Sequence, residues 1–290
     1  MMPGQGRWAL AVHGGAKLIA PDAREGNRRG CLAALAAGRT VLTRGGSAID
    51  AVEAAVRILE ADPTFNAGKG SALTGEGEIE MCAAIMSGVD LAVGAVGVIK
   101  AVRHPISVAR LLMPEDEILV AGPGARRFAA EKGAELCDPE ELVVEKQRRE
   151  LAEHDTVGAV ALDTAGNLAA ATSTGGLPGA KPGRMADSAL PGCGYYADNA
   201  IGALALSGKG EAIARLAISS EVIRLMPEIG PEAALERPLS KLPHLGGDGG
   251  GIAIRKDGAI GWWHNSPHFA VATASAAQPA GRVWLNKDEA

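Results

Sequence analysis

The chain has 290 residues, 47% of them hydrophobic and 22% charged, with a net charge of -5 and no block of basic residues. That balance fits one or two soluble domains with ample core and argues against nucleic acid or an anionic membrane as a partner. The longest apolar run, residues 91–99, is far short of the ~20 residues of a membrane span. The four cysteines, Cys31, Cys82, Cys137 and Cys193, are scattered without a CxxC pair. They read as reduced thiols, neither a disulfide frame nor a zinc site. The short, polar N-terminal stretch is unlike a signal peptide, so the expected location is cytoplasmic. Aromatics make up only 3% against 39 glycines, which predicts an Ala/Val/Leu/Ile core with closely approaching backbones.

In chain order, "RWALAV" (7–12) reads as a buried strand, and "HGGA" after it as a tight turn. A helix is expected over about 23–43, ended by Gly45-Gly46. Ser47 then caps a second helix that carries Asp50 in its first turn and runs to about Glu60. "LEADPTFNAGKGSALT" is a Pro/Gly-rich loop, long for a connector. Residues 90–100 read as a strand, and short helices are expected after Pro105 and Gly122. The charged stretch 138–155, "DPEELVVEKQRRELAEHD", fits either a linker or a solvated helix. Beyond it "TVGAVALD", "NLAAATST" and "GALALS" are small-residue strands. An amphipathic helix is expected over 210–226 and another from about 231. "GGDGGGIAIRKDGAIGWWHN" reads as a hairpin turning at Lys-Asp-Gly. Neighbouring hairpins favour antiparallel sheets with segregated helices, an α+β layered fold.

The chemistry concentrates after the charged stretch. With a hairpin turn centred on Ala165, partner numbers sum to a constant and Thr156 falls opposite Thr174, both side chains on one face. No G-x-S-x-G and no HExxH occurs, and the six histidines are scattered. A threonine at a chain's N-terminus carries its own base, an α-amine with a pKa of about 8. Cleavage at Asp155-Thr156 would create one. In "KPGRMADSALPG", Arg184 and Asp187 suit the two ends of a zwitterionic amino acid, or a mutual surface ion pair of the common kind. Ser207-Gly208, before a helix, suits either an oxyanion hole or a helix cap.

The series "AVHGGA", "FNAGKGSALT", "HDTVGAVALD", "GNLAAATSTGG", "KPGR..DS", "YYADN", "SGKGEAI" and "GGDGGG" resembles, almost end to end, the N-terminal-nucleophile (plant-type) asparaginase/isoaspartyl aminopeptidase family. The resemblance implies a four-layer αββα sandwich of the Ntn-hydrolase type over residues 1–290. It also implies self-cleavage into an α subunit, 1–155, and a β subunit, 156–290, which stay together and pair as a homodimer of αβ units. It makes Thr156 the nucleophile and base, with Thr174 assisting it by hydrogen bonding. Arg184 would grip the substrate carboxylate, Asp187 its ammonium, and Gly176 would orient it through the backbone. Ser207 and Gly208 would form the oxyanion hole, with Asn66 close to the nucleophile. Backbone carbonyls of Leu59, Glu60, Asp62, Phe65, Ala67 and Lys69 would hold a structural Na⁺; no catalytic cofactor is implied. The implied reaction releases L-aspartate from L-asparagine and β-aspartyl dipeptides. A glycosylasparaginase shares the Asp-Thr cleavage site, and an unprocessed amino-acid-binding protein could share the fold. Departures from the family pattern are Cys82 and Ser87 where Asp is usual, Met185-Ala186 for Val-Gly, and Ser207 for Thr.

Overall fold

The computed structural model describes residues 7–144 and 155–289. The greater part of the charged stretch, 145–154, including His154, therefore lies outside the described residues. Its start is described: Asp138 caps a 3-10 turn, Pro139–Leu142, through a reciprocal capping box with Glu141.

Two sheets carry the fold. The larger has the order β12-β11-β1-β5-β6-β2-β3-β4 and the smaller β10-β9-β8-β7. The larger sheet is built from β1 (Ala9–Lys17), β2 (Met81–Ser87), β3 (Val93–Ile99), β4 (Leu119–Ala121), β5 (Val157–Leu162), β6 (Leu168–Thr174), β11 (His268–Ser275) and β12 (Gln278–Trp284). The smaller contains β7 (Tyr195–Asp198), β8 (Gly202–Gly208), β9 (Gly249–Arg255) and β10 (Ile260–His264). All strand neighbours are antiparallel except β3 and β4. Helices α1 (Arg24–Thr43) and α2 (Ala48–Ala61) pack on the larger sheet, as does α3 (Pro105–Leu112), and α4 (Gly122–Glu131) packs beside its β3 edge. On the smaller sheet lie α6 (Ile218–Ile229) and α7 (Pro231–Leu239), after the short α5 (Gly210–Leu216). No helix among the described residues is long and apolar enough to cross a membrane.

Strand alternation explains the layering. In β5 and β6, Val157, Ala159, Ala161, Ala169 and Ala171 face the helices. Val160, Leu162, Leu168 and Ala170 face the smaller sheet and meet Ala203, Ala205, Ile252 and Ile254 there. Alanine on both inner faces keeps the sheets close. A further core joins Leu204 and Leu206 of β8 to α6 and α7. By the same alternation Thr172 and Thr174 point between the sheets. Ser173 points to the helix side, where it bonds the buried Glu60 carboxylate at 2.7 Å.

The predicted hairpin register holds: Val157 pairs with Ser173 and Leu162 with Leu168, which sets Thr156 opposite Thr174. Asp163 fixes the turn by accepting from the backbone N–H of Ala165 and Asn167, both at 2.9 Å, and it also accepts from Ala48 at the start of α2, at 3.1 Å.

Three expectations change. "HGGA" is no turn. It continues β1 to Lys17 through an irregularity between His13 and Ala16, and its glycines serve close approach. A Cβ on Gly14 would stand 2.3 Å from the Phe65 ring, and one on Gly15, at φ +102°, 1.2 Å from Asp155 Oδ1. The helix expected over 210–226 is two helices, broken at Ala217 with φ 46°. The α6 N-terminus is satisfied from outside, by the Cys193 and Gly192 carbonyls accepting from Ser219 and Ser220 at 3.2 and 2.9 Å, so tertiary capping overrides the helical period. Strand β2, not expected from the sequence, is an apolar run that pairs with β6, setting Cys82 opposite Thr174.

Candidate active site

One pocket opens where β6 and β8 converge from the two sheets. Asp155, Thr156, Thr174, Arg184, Asp187 and Ser188 line it, with Gly176, Gly208 and Cys82. The chain runs unbroken through Asp155-Thr156, and every polar atom of that peptide bond is held. The Asp155 carbonyl accepts from Thr174 Oγ1 and from Asn66 Nδ2, both at 3.0 Å. The Thr156 N–H donates to Ser207 Oγ at 3.1 Å, and that hydroxyl also accepts from Ala16 N at 3.0 Å. Thr156 Oγ1 lies 3.2 Å from Ser188 Oγ. The side chains of Asp155 and Thr156 are both buried, and the Asp155 carboxylate is ion-paired to Lys17.

Two donors on one carbonyl oxygen are what an addition at that carbon needs, since negative charge develops there. A hydroxyl, Thr156 Oγ1, stands on the next residue. The site thus places a buried hydroxyl, a carbonyl held by two donors and a hydrogen-bonded nitrogen around a single peptide bond.

Asn66 is the hub. Besides the Asp155 carbonyl, its Nδ2 donates to Gly176 O at 2.8 Å, and its Oδ1 accepts from Ala72 N at 2.7 Å. Gly176 N donates in turn to Thr174 Oγ1 at 3.1 Å. The Thr174 hydroxyl therefore donates to the Asp155 carbonyl while accepting from Gly176. Ser207 is fully buried beside the Thr156 nitrogen, while Gly208 lines the pocket.

Arg184 and Asp187 enter the same pocket by different routes. Among the described residues no ion pair joins them. Arg184 donates from Nε and Nη2 to the Glu211 carboxylate, each at 2.9 Å, a two-point pairing that fixes the plane of the guanidinium. Asp187 is almost fully buried, and its Oδ2 has no hydrogen-bond partner among the described residues. Burial pushes its carboxyl up to about 7, against the opposing pull of Arg184. An acid held that way is ready to ionise when a cation arrives.

Cys82 is buried beside Thr174, and burial raises its thiol, so it presents a neutral wall where a carboxylate would add charge next to Asp187. Ser87 is away from the pocket and accepts from Val89 N at 3.2 Å in the turn after β2. Met185 packs its sulfur against Gly97, while Ala186 lines the pocket. His13 is a packing residue: burial pushes it down to about 3, and its neutral ring tilts against Phe269, centroids 5.2 Å apart.

The loop after α2 collects backbone oxygens. Pro63 O and Phe65 O both come within 2.9 Å of where a Gly70 Cβ would stand, and Glu60 O within 2.4 Å of a Gly68 Cβ. Gly68 and Gly70 carry φ of 55° and 100°, so the turn needs both positive φ and the missing side chains. The Glu60 carboxylate accepts from Ile106 N at 2.9 Å as well as from Ser173, which ties this loop to the strand that carries Thr174.

Sequence reasoning missed Ser188, Glu211 and Lys17. The first two stand inside quoted motifs, "KPGR..DS" and "SGKGEAI", one residue beyond Asp187 and three beyond Gly208. Lys17 follows "HGGA" directly. Only the fold brings it to Asp155, 138 residues later.

A buried threonine peptide bond, held between two facing and mainly antiparallel sheets beside an Arg/Asp-lined pocket, is an arrangement suited to an amidohydrolase. The chain belongs to the asparaginase family, whose pattern matches residues 6–155 and 147–282. It is 42% identical over 287 residues to the isoaspartyl peptidase/L-asparaginase of Bos taurus, covering 91% of this chain and 92% of that one. It is 45% identical over 224 residues to the protein of that name from Homo sapiens, covering 71% and 73%. The isoaspartyl peptidase of Salmonella typhimurium is 39% identical over 287 residues, covering 89% and 92%.

Proposed function

We propose that this chain is a self-cleaving threonine amidohydrolase that releases L-aspartate from L-asparagine and β-aspartyl dipeptides. The observation that carries the reading is the Asp155-Thr156 bond, its carbonyl oxygen held by two donors at 3.0 Å beside the Thr156 hydroxyl. Family membership and relatives bearing the isoaspartyl peptidase/L-asparaginase name point the same way.

In the first reaction Thr156 Oγ adds to the Asp155 carbonyl carbon. Thr174 and Asn66 hold the resulting oxyanion, and the hydroxyl proton passes to the Thr156 nitrogen as the C–N bond breaks. The product is an ester between Asp155 and Thr156 Oγ. Water hydrolyses it and leaves a new carboxylate on Asp155 and a free amine on Thr156. The chain becomes 1–155 and 156–290, one domain in two subunits.

In the second reaction that amine removes the proton of Thr156 Oγ, which attacks the side-chain carbonyl of the substrate. Arg184 takes the substrate α-carboxylate and Asp187 its α-ammonium, with Gly176 aligning the backbone side of the pocket. Ser207 and Gly208 stabilise the oxyanion. The leaving nitrogen takes the proton back from the amine, and ammonia or an amino acid departs. Water then releases aspartate.

In this reading the fold is the αββα sandwich of N-terminal-nucleophile hydrolases, supported by three cores that alternate with the two sheets. The oxygen cluster after α2 binds a structural Na⁺ through carbonyls of Leu59, Glu60, Asp62, Phe65, Ala67 and Lys69. The ion would stiffen the loop that aims Asn66. The αβ unit pairs as a homodimer, which rests on the family alone. The free state of all four cysteines agrees with a cytoplasmic location.

Replacing Thr156 by Ala tests this. The variant should persist as one polypeptide by intact mass and turn over neither asparagine nor β-aspartyl-leucine. Turnover by the uncut variant would refute the mechanism.

A further inference from the structure

Lys17 is the last residue of β1, and its side chain is 13% exposed against 4% for Asp155. Among the described residues its ammonium makes its ion pair with Asp155 alone, and it stands 5.6 Å from the centre of the Phe65 ring. The preceding residue, Ala16, hydrogen-bonds the same Ser207 hydroxyl that receives the Thr156 N–H. Lys17 therefore lies on the Asp155 side of the Thr156 nitrogen, within reach of solvent.

This placement has a consequence after self-cleavage. The proposed function uses one oxygen, Thr156 Oγ, to attack first the Asp155 carbonyl and then the substrate. The two carbonyls cannot occupy that position together, so turnover requires Asp155 to withdraw. Its departure takes the carboxylate away from Lys17. In the second reaction the leaving nitrogen must receive a proton from the Thr156 amine, which points to the place where Asp155 was bonded. The leaving group of a substrate thus lies toward the vacated Asp155 position, beside Lys17. Ammonia leaving from asparagine has nothing to offer a cation. The amino acid leaving from a β-aspartyl dipeptide carries an α-carboxylate.

Resting on that reading of the site, we propose that Lys17 is a specificity residue for the leaving group. In the precursor its ammonium holds the Asp155 side chain, and in the cleaved enzyme it binds the free carboxylate of the departing amino acid. The Asp155 carboxylate is the chain's own stand-in for that group. Lys17 therefore favours β-aspartyl dipeptides with a free C-terminus over substrates that lack one.

The test compares β-aspartyl-leucine with β-aspartyl-leucinamide on the self-cleaved enzyme. The two share the scissile bond and differ in the terminal charge. The ratio of their kcat/KM values does not depend on how much of a preparation has been processed. A partly exposed charge pair of about 1 kcal/mol gives a preference of roughly fivefold for the acid. In Lys17→Gln the ratio should fall to about one, and in Lys17→Arg it should persist. Equal rates for acid and amide in the wild type, or a preference that survives in Lys17→Gln, would overturn the proposal while leaving the amidohydrolase reading intact. Should Lys17→Gln fail to self-cleave, the wild-type ratio alone decides. Hydrolysis of neither peptide by the cleaved enzyme would instead defeat the amidohydrolase reading and this proposal with it.

Discussion

The Thr174 hydroxyl offers a direct test of how the chain cuts itself. It donates to the Asp155 carbonyl oxygen at 3.0 Å and accepts from Gly176 N at 3.1 Å. Thr174→Val keeps the shape and removes both bonds. Asn66 Nδ2, also at 3.0 Å from that oxygen, remains, so the oxyanion loses one of two donors. Removing a single donor of this kind costs about 10²–10³ in rate, or about 2.7–4 kcal/mol. The orphaned Gly176 N–H adds a loss of about 1 kcal/mol in stability, which lowers the melting temperature by about 2–4 °C. The assay is intact mass against time after purification, reading the conversion of the 290-residue chain into 1–155 and 156–290. Thr174→Val should cleave about a hundredfold or more slowly with a near-normal melt, and Thr174→Ser should recover most of the rate. A Thr174→Val variant that cleaves at the wild-type rate would show that the carbonyl contact seen here does not act in the reaction.

Two further outcomes follow from the site. Ser188 Oγ lies 3.2 Å from the Thr156 hydroxyl, and a neutral hydrogen bond of about 1 kcal/mol orients an attacking group at that level. Ser188→Ala should slow self-cleavage roughly fivefold by the same mass assay, and an unchanged rate would remove Ser188 from the mechanism. Asp187 is an acid pushed up to about 7 by burial, and an ammonium is held by its ionised form. Below that pH the proton must first be displaced, so KM for β-aspartyl-leucine should rise about tenfold per pH unit as pH falls from 7, and it should be high and flat in Asp187→Asn. A KM independent of pH between 5 and 7 in the wild type would contradict the assignment of Asp187 to the ammonium.

The hairpin was legible because its information is local. Asp163 and Gly166 name the turn, the period of two does the rest, and Thr156 falls opposite Thr174 without knowledge of the rest of the chain. The break at Ala217 was not legible, because the groups that cap α6 are carbonyls of Gly192 and Cys193 in a distant loop. The sequence of 210–226 keeps one amphipathic period across the break. Strand β2 was hidden by composition: "MCAAIM" has no alternation, since helices cover one of its faces and the smaller sheet the other. "HGGA" misled for a related reason. Glycine marks positive φ and absent bulk alike. Here absent bulk decides, because Asp155 and the Phe65 ring fill the space of the missing side chains.

The same distinction explains which site residues were legible. Thr156, Thr174, Arg184 and Asp187 stand in one contiguous half of the chain, at spacings that a hairpin and a loop can interpret. Lys17 and Asn66 act on them from the other half, and Glu211 from a separate helix; of the three, the resemblance gave a role to Asn66 alone. Lys17 comes from β1, Asn66 from the oxygen-lined loop, and Glu211 from the start of α5, each holding one atom of the site in place. The partition is physical. Thr156 and Thr174 sit together on one rigid hairpin, since a displacement of an ångström is costly in rate. Residues that hold them can come from any element the fold brings near, so no spacing in the sequence constrains them. In a chain that must first react with itself, such holding groups have a second consequence. On the proposed reading, Asp155 occupies contacts that a substrate would later use, and Lys17, which steadies the precursor, is released to meet a ligand once the bond is cut.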